Sequence, residues 1–442
     1  MINQNLFADL INYLPLIPST IPKGEIISIN SGKVLGKIPD TAINDFCLIK
    51  LTNNQLKMAK VVGFIDDKIN LTIFGNTSGI KAGDIIINPR KASKLTISKD
   101  ILGKVINASG EIINFDLQNN SHKSITIDIE ASPPPALNRK PIEKLFKTGI
   151  NAIDGLLQIG VGQRIGLFAE AGTGKSTLLG MIAKNSNADV NVIALIGERG
   201  REVNEFLNDC LNKESLNKSV IVLSTSNESS LERKMAGYTA TAIAEYYRNQ
   251  GKKVLLMLDS LTRFSRAIRE IGLANGELPM REGYTPSVYT ELPQILERSG
   301  NNDKGSITAI YTILTNDQNF QDPLKDEIIS ILDGHIVLDK NLANSNIRPA
   351  IDITKSISRC QSKLISKEQL ADVNIIKKII YKLKTDKDLL QLGGAADKEL
   401  EACLKLENKI LNILNQGTNK GLDFEKLLQI FARISLEFTS ST

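Results

Sequence analysis

Tryptophan is absent from this chain, aromatic residues make up 5% of it, and histidine occurs twice, at His122 and His335. A chain so poor in rings offers no platform on which successive bases could stack. Its four cysteines, Cys47, Cys210, Cys360 and Cys403, are widely spaced and form no CxxC pair. With so few histidines to join them they make no zinc pattern, and they read as reduced thiols of a cytoplasmic protein. No apolar run approaches the ~20 residues that a membrane span needs. The opening "MINQNLFADLINYLPLIPST" lacks the basic start and long apolar core of a secretory signal. Charge of one sign is missing too: 54 Lys+Arg face 49 Asp+Glu, a net of +5. That balance is too weak to argue for a nucleic-acid binder, of which a concentrated basic stripe is expected.

What is present is apolar patterning. At 42% apolar residues the chain can bury a large core, and its length suits about two or three domains. In residues 1–22, Phe7, Leu10, Ile11 and Leu14 fall on one face of a helix that Pro15 and Pro18 end. That face either packs on its own domain or docks a partner. Residues 23–92 carry short apolar runs between Gly, Asn and Asp turns: "EIISI", "FCLIKL", "KVVGFI", "INLTIF" and "DIIIN". Such spacing predicts a small β-barrel. "LGKVINASGEIIN" (Leu102–Asn114) reads as a hairpin turning at Ser109-Gly110, and the Pro-rich Ala131–Pro141 as an extended connector.

After Gly149 the pattern becomes α/β. The runs "RIGLFA", "VNVIALIG", "SVIVLST", "KVLLMLD" and "SITAIYTIL" alternate with helical stretches such as Leu231–Asn249 and Leu261–Ala274. Apolar strands in alternation with helices predict a parallel sheet covered on both faces, here over residues 93–355. From 356 to 442 the strand signals stop, and "LADVNIIKKIIYKL" and "FEKLLQIFARISLEF" predict a helical C-terminal domain.

One turn in the α/β region carries chemistry. "RIGLFAEAGTGKSTLLGMIA" is a buried strand, a glycine turn and an amphipathic helix. Glycines let backbone N–H groups converge on phosphates, and the helix N-terminus adds donors and a positive dipole end. Ala171, Gly172, Thr173, Gly174, Lys175, Ser176 and Thr177 form this cradle. Lys175 is placed to reach the β- and γ-phosphates and Ser176 to ligate Mg²⁺. A Mg²⁺–ATP site needs a second acid on a neighbouring strand, and "VLLMLDS" supplies Asp259 at a strand's C-terminal end, where ligands of open sheets lie. Asp259 is equally suited to cap the helix that follows. Hydrolysis further needs a carboxylate near the attacking water; "ALIGERGREVNEF" sets Glu198 just past a strand, with Arg199 beside it, while Glu202 opens and caps the next helix.

These pieces together resemble one family, the export ATPases of type III secretion from flagella and injectisomes, relatives of the catalytic subunit of rotary ATP synthases. The similar stretches include "FKTGINAIDGLLQIGVGQRIGLFAEAGTGKSTLLGM", "IGERGREV", "LLMLDSLTRFSRAIREI", "GYTPSVYTELPQILERSG" and "PAIDITKSISR", in the family's order over about residues 140–360. The resemblance implies a RecA-like P-loop core between an N-terminal barrel and C-terminal helices. It gives the phosphates to Lys175, Mg²⁺ to Ser176, the metal's outer shell to Asp259 and the polarised water to Glu198. It makes Arg359, which on spacing alone is a solvated arginine, an arginine finger reaching into a neighbour within a ring of six. It implies a stator-like regulatory subunit at the N-terminus, a central stalk protein, export substrates with their chaperones, and a membrane export gate at which the protein is peripheral.

The chain departs from the family's pattern at three places. Glu170 occupies a loop position where relatives carry a small residue, and is expected to face solvent. Arg348 stands where a tyrosine usually packs on the adenine, and its guanidinium plane can also stack on a base. Gln318 and Asn319 replace an aspartate pair in "TNDQNFQDP". Three functions compete on this reading. The first is an export motor, with "NNDKGSITAIYTIL" and "NQGTNK" pointing to the injectisome branch rather than the flagellar one. The second, a ring-shaped RNA translocase, needs aromatic and basic residues that positions 1–100 lack, and binding to single-stranded RNA would identify it. The third, a non-catalytic ring subunit, is disfavoured by the joint presence of Lys175, Glu198 and Asp259.

Overall fold

The computed structural model describes residues 21–30, 33–89, 94–113, 124–315, 323–391, 397–418 and 420–441. The stripe Phe7–Leu14, His122, Gln318 and Asn319 lie outside the described residues. Among those described, no helix is long and apolar enough to cross a membrane.

The apolar runs of the first part close into a barrel. Its strands follow the order Lys23–Asn30, Lys33–Lys37, Lys68–Ile73, Leu56–Ile65, Phe46–Lys50 and Ile85–Ile87, each pair antiparallel. Ile26, Val34, Ile49, Val61, Leu71 and Ile86 fill the interior, and closure leaves no unpaired sheet edge. Cys47 belongs to this core, and burial pushes its thiol up to about 12, so it is inert. The strand "KVLGK" was not among the expected ones. It owes its place to Gly36, where a Cβ would meet Ile86 Cδ1 at 2.2 Å. Residues 271–277 cluster with this unit, and the Asn70 amide donates to Asn275 Oδ1 at 2.9 Å.

The second unit comprises Leu95–Glu270 and Leu278–Thr442. Its main sheet runs in the order Ile357–Ser358, Gly334–Val337, Arg164–Ala169, Ser306–Leu314, Lys253–Asp259, Val190–Glu198, Ser219–Thr225 and Val105–Asn107. All pairings along it are parallel except that of Ile357–Ser358. Every residue of Val190–Glu198 is buried, as expected of a strand covered on both faces. The two predicted helices are observed as Ser230–Asn249 and Leu261–Asn275. The first opens on a capping box in which Ser229 and Glu232 satisfy each other's backbone N–H groups.

Local departures from the sequence reading have packing causes. Within 102–113 the expected hairpin forms, with Asn107 N–H donating to the Glu111 carbonyl at 2.9 Å. Its Val105–Asn107 arm also extends the main sheet beside Ser219–Thr225. The connector Ala131–Pro141 contains a short 3₁₀ turn at Ala136–Asn138. The C-terminal helices Lys367–Gln391, Lys398–Leu414 and Phe424–Ser441 share one apolar core with the sheet, continuous from Ile165 and Leu179 through Ile376 to Phe438. Phe431 and Leu427 sit directly on Gly155, where a Cβ would come within 2.5 Å of the Phe431 ring.

A buried ion pair sits in this unit. Arg298 is 1% exposed. Its Nε donates to Glu245 Oε1 at 3.1 Å, a second nitrogen to the same carboxylate, and a third to the Ile129 carbonyl. Arg248 donates to the Arg298 carbonyl at 2.8 Å. Breaking a buried pair by removing one partner costs ~3–5 kcal/mol, because the other charge is left uncompensated. Arg298→Met leaves Glu245 only Arg248, 3.7 Å away, so it is expected to lower the unfolding free energy by up to that amount, read as a fall in the urea midpoint at an unchanged slope, whereas a loss under ~1 kcal/mol would show that Arg248 or water compensates Glu245.

Candidate active site

The phosphate-loop strand Arg164–Ala169 ends inside the sheet, and the helix Lys175–Asn185 begins after five intervening residues. The turn between them demands glycine at two places: Gly172 has φ 81° and Gly174 φ 89°, a region that side chains with a Cβ rarely enter. Thr173 closes the turn through its hydroxyl, which donates to the Glu170 carbonyl at 2.8 Å. Ala171, Gly172, Ser176 and Thr177 are exposed or half-buried and Thr173 is buried. All of them, with Gly174 and Lys175, line a cleft of about 960 Å³.

Three strand ends bring the charged groups together over this loop. Lys175 Nζ donates to Asp259 Oδ1 and lies 3.5 Å from Glu198 Oε1. Asp259, 2% exposed, also accepts from the Thr312 hydroxyl at 2.7 Å. The helix after Asp259 takes a bond from Ser260 instead, whose Oγ accepts from the Arg263 N–H at 3.3 Å. The capping role thus passes to Ser260, and the Asp259 carboxylate is left for the cleft. Lys175 itself is largely buried, its side chain 13% exposed.

Glu198 is the last residue of its strand rather than the first beyond it, because a bulge at Gly197 extends the pairing to Thr225. It is 7% exposed, with Arg263 2.7 Å from its Oε2, while its Oε1 is buried without a hydrogen-bond donor. Burial, and the neighbouring Glu202 carboxyl, push Glu198 above the ordinary glutamate range, against the pull of Lys175 and Arg263. Glu202 is held low by its contact with Glu198 and by Arg263 and Arg199. Arg199 is exposed, lies 3.7 Å from Glu202 and stands on the cleft's rim.

Arg348 reaches the loop from the other side. Its guanidinium donates to the Thr173 carbonyl at 3.3 Å, and its backbone N–H donates to Asn415 Oδ1 at 3.0 Å. Glu170 is half-buried in the cleft wall rather than fully solvent-facing. Arg359 does not join the other predicted residues. Its guanidinium donates to the Ile329 carbonyl at 3.2 Å, away from the cleft of its own chain. The sequence reading missed Arg263, although its place one helical turn after Asp259, on the ligand-facing edge, was a usable signal. It also missed that Gln416, Gly417 and Thr418, read only as part of the branch signal "NQGTNK", line the cleft from the C-terminal region.

The donor set suits a hard cation brought by phosphates. A serine hydroxyl and one buried carboxylate, Ser176 and Asp259, are oxygen ligands of the kind Mg²⁺ accepts alongside substrate phosphates. Among the described residues no group of three or more His, Cys, Asp or Glu could hold a metal by itself.

Comparison with known proteins agrees with this arrangement. Residues 149–358 match the ATP synthase alpha/beta family, nucleotide-binding domain. The chain is 40% identical over 416 residues to the flagellum-specific ATP synthase of Bacillus subtilis, covering 93% of this chain and 94% of that protein. It is 38% identical over 437 residues to the type 3 secretion system ATPase of Xanthomonas euvesicatoria, covering 95% and 98%. Among solved structures it is similar to the assembled ATPase EscN of the enteropathogenic E. coli type III secretion system, with a TM-score of 0.87 and 41% identity over 93% of this chain and all of that one. EscN in complex with its central stalk EscO gives a TM-score of 0.86. Flagellar and secretion-system relatives match at nearly equal identity. With a closed barrel, a P-loop sheet and C-terminal helices in common with them, this chain belongs to the family of flagellar and type III secretion ATPases and is an ATPase.

Proposed function

We propose that this ATPase is the hexameric motor of a type III protein-export apparatus of the injectisome kind. It would release and unfold export substrates and their chaperones at a membrane export gate, working from the cytoplasm as a peripheral component at the inner membrane. Support comes from EscN, solved as an assembled ATPase and with its central stalk. The 40% identity to a flagellum-specific relative favours flagellar export as the second reading. Residues 1–22 are assigned to a stator-like regulatory subunit, and a central stalk protein is the partner of the ring's pore.

The observation that carries hydrolysis is Glu198, buried at a strand end, 3.5 Å from the phosphate-loop lysine and clamped by Arg263 at 2.7 Å. A site that only held nucleotide would have no use for a buried carboxylate whose Oε1 accepts no hydrogen bond and faces the phosphate-loop lysine. In our reading the loop N–H groups and Lys175 hold the β- and γ-phosphates, and Arg348 flanks the base. Glu198 orients and polarises the attacking water, and Arg263 fixes the carboxylate's direction. Ser176 and, through the outer shell, Asp259 would hold Mg²⁺, which would supply neutralisation of the developing phosphate charge.

Glu198→Gln is nearly isosteric and removes the charge that polarises water. Steady-state phosphate release should fall ~10²–10⁴-fold, with nucleotide binding retained; a fall under tenfold would remove Glu198 from the role. The pH profile gives an independent check. The carboxylate works ionised, and burial raises its pKa above the ordinary value. The rate should therefore be lost, as pH falls, at a higher pH than an exposed glutamate would set. Glu202 contributes to that raising, so Glu202→Gln should move the acid limb of kcat/KM to lower pH. An unmoved limb would assign it to another group.

A further inference from the structure

A second cavity, of about 440 Å³, lies between residues 339–354 and the helices Lys367–Gln391 and Lys398–Leu414. Its size falls within the ~300–1,000 Å³ of small-molecule pockets. Most of its wall is aliphatic, formed by Ile347, Ile351, Ile353, Leu383, Ile410 and Leu414. Among the described residues its ionisable lining is Asp339, Asp352 and Glu407 against the single cation Lys384. Asp339 is occupied as a helix cap, accepting from the N–H groups of Asn341 at 2.7 Å and Leu342 at 3.0 Å.

Asp352 is 2% exposed, and its Oδ1 is likewise taken, accepting from the Thr354 hydroxyl at 2.6 Å and from the N–H groups of Thr354 at 3.0 Å and Lys355 at 3.3 Å. Its Oδ2 is held from the cavity side, accepting from Lys384 Nζ at 2.6 Å. Burial pushes its carboxyl up, but Lys384 and Thr354 outweigh that and hold it below the ordinary range, so it is ionised at neutral pH. Lys384, by contrast, is 47% exposed. The anion is therefore at depth and its cation more exposed, both in a cavity whose wall is mostly aliphatic. An ammonium carrying an apolar tail would replace the lysine's bond and also fill the aliphatic volume.

The cavity shares a wall with the nucleotide cleft. Pro349 lines both. Leu414 lines the cavity, and Gln416, two residues on, lines the cleft. The two segments are joined: Arg348 N–H donates to Asn415 Oδ1 at 3.0 Å, and Gln416 N–H donates to the Arg348 carbonyl at 2.6 Å. They form a thin partition with a face in each space.

We infer that this cavity is a binding site for a hydrophobic primary-amine cation, and that its occupancy is felt at the nucleotide cleft through the partition of residues 347–351 and 414–416. The coupling rests on the reading of that cleft as the ATPase site; the binding does not. The test is calorimetric titration of the full chain with octylammonium, octanol and octanoate below their micelle thresholds. Octylammonium should bind at least tenfold more tightly than octanoate. Asp352→Asn should weaken octylammonium at least tenfold and leave octanol unchanged, whereas Lys384→Gln, which removes the resident competitor, should tighten octylammonium severalfold. Loss of structure would move both variants in the same direction. Ile410→Phe, which fills the cavity, should abolish binding of all three probes. Equal binding of octylammonium and octanoate, or binding that survives Ile410→Phe, overturns the site. Saturating octylammonium should also shift the KM for ATP at least threefold in the wild type and leave it unmoved in Ile410→Phe. An unshifted KM with intact binding overturns the coupling alone. Because the titrations read no turnover, a failure of the Glu198→Gln experiment leaves the measured binding, and the site it defines, untouched.

Discussion

Arg359→Ala chains should hydrolyse ATP ~10³–10⁵-fold more slowly than the wild type while binding ATP as tightly. The loss corresponds to roughly 4–7 kcal/mol of barrier. Arg359 rests on the Ile329 carbonyl at 3.2 Å and does not line the cleft of its own chain. If it acts, it acts on a neighbour's nucleotide, where it meets charge that develops only in the transition state and so adds little to ground-state binding. Wild-type activity per chain should then rise with protein concentration, and the variant's should stay flat. Mixing Arg359→Ala with Lys175→Ala chains should restore activity, because some interfaces of the mixed ring join an intact loop to an intact finger. No rescue at any ratio, with co-assembly demonstrated, would place Arg359 outside the shared site.

Lys175→Ala should reduce turnover by about 10⁴-fold or more. In the proposed site the lysine's charge-assisted bonds to two phosphates would be worth about 1.5–3 kcal/mol each. Its removal also leaves Glu198 and Asp259, 7% and 2% exposed, facing a polyanion without their shared cation. Like charges about 4 Å apart repel by ~4 kcal/mol at an effective dielectric near 20, so the total exceeds the ~5.4 kcal/mol that a 10⁴-fold effect requires. The fold should survive, since Asp259 keeps Thr312 and Glu198 keeps Arg263. Phosphate release within tenfold of the wild type would mean that the γ-phosphate is held elsewhere.

The features most legible from sequence were those whose physics is local. A glycine turn between a buried strand and a helix has one steric solution, and Gly172 and Gly174 take it. Helix 230–249 carries its own capping box, and the long apolar strands announce a sheet covered on both faces. Features that depend on distant segments were not legible. Val105–Asn107 is too short to read as an arm of the main sheet. The C-terminal helices gave no sign that Phe431 would close over Gly155. Arg263 was passed over because an arginine inside a helix usually faces solvent, and only the bulge at Gly197 brings Glu198 within its reach. Arg348 was placed by its position before "PAID", and its bond to the Thr173 carbonyl depends on a fold that no local pattern encodes.

The order of strands in the main sheet bears on how the protein is made. The phosphate-loop strand, Arg164–Ala169, pairs with Ser306–Leu314 on one side and Gly334–Val337 on the other. Neither neighbour exists until well over a hundred further residues have been translated. At ~5–20 residues per second the loop waits on the order of ten seconds or more before the strand beneath it has hydrogen-bonded flanks. Chains that stall or terminate in this interval have the whole glycine motif but lack both strands that flank it in the sheet. The full setting of the loop arrives only with the last third of the polypeptide, after the other half of the sheet has been made.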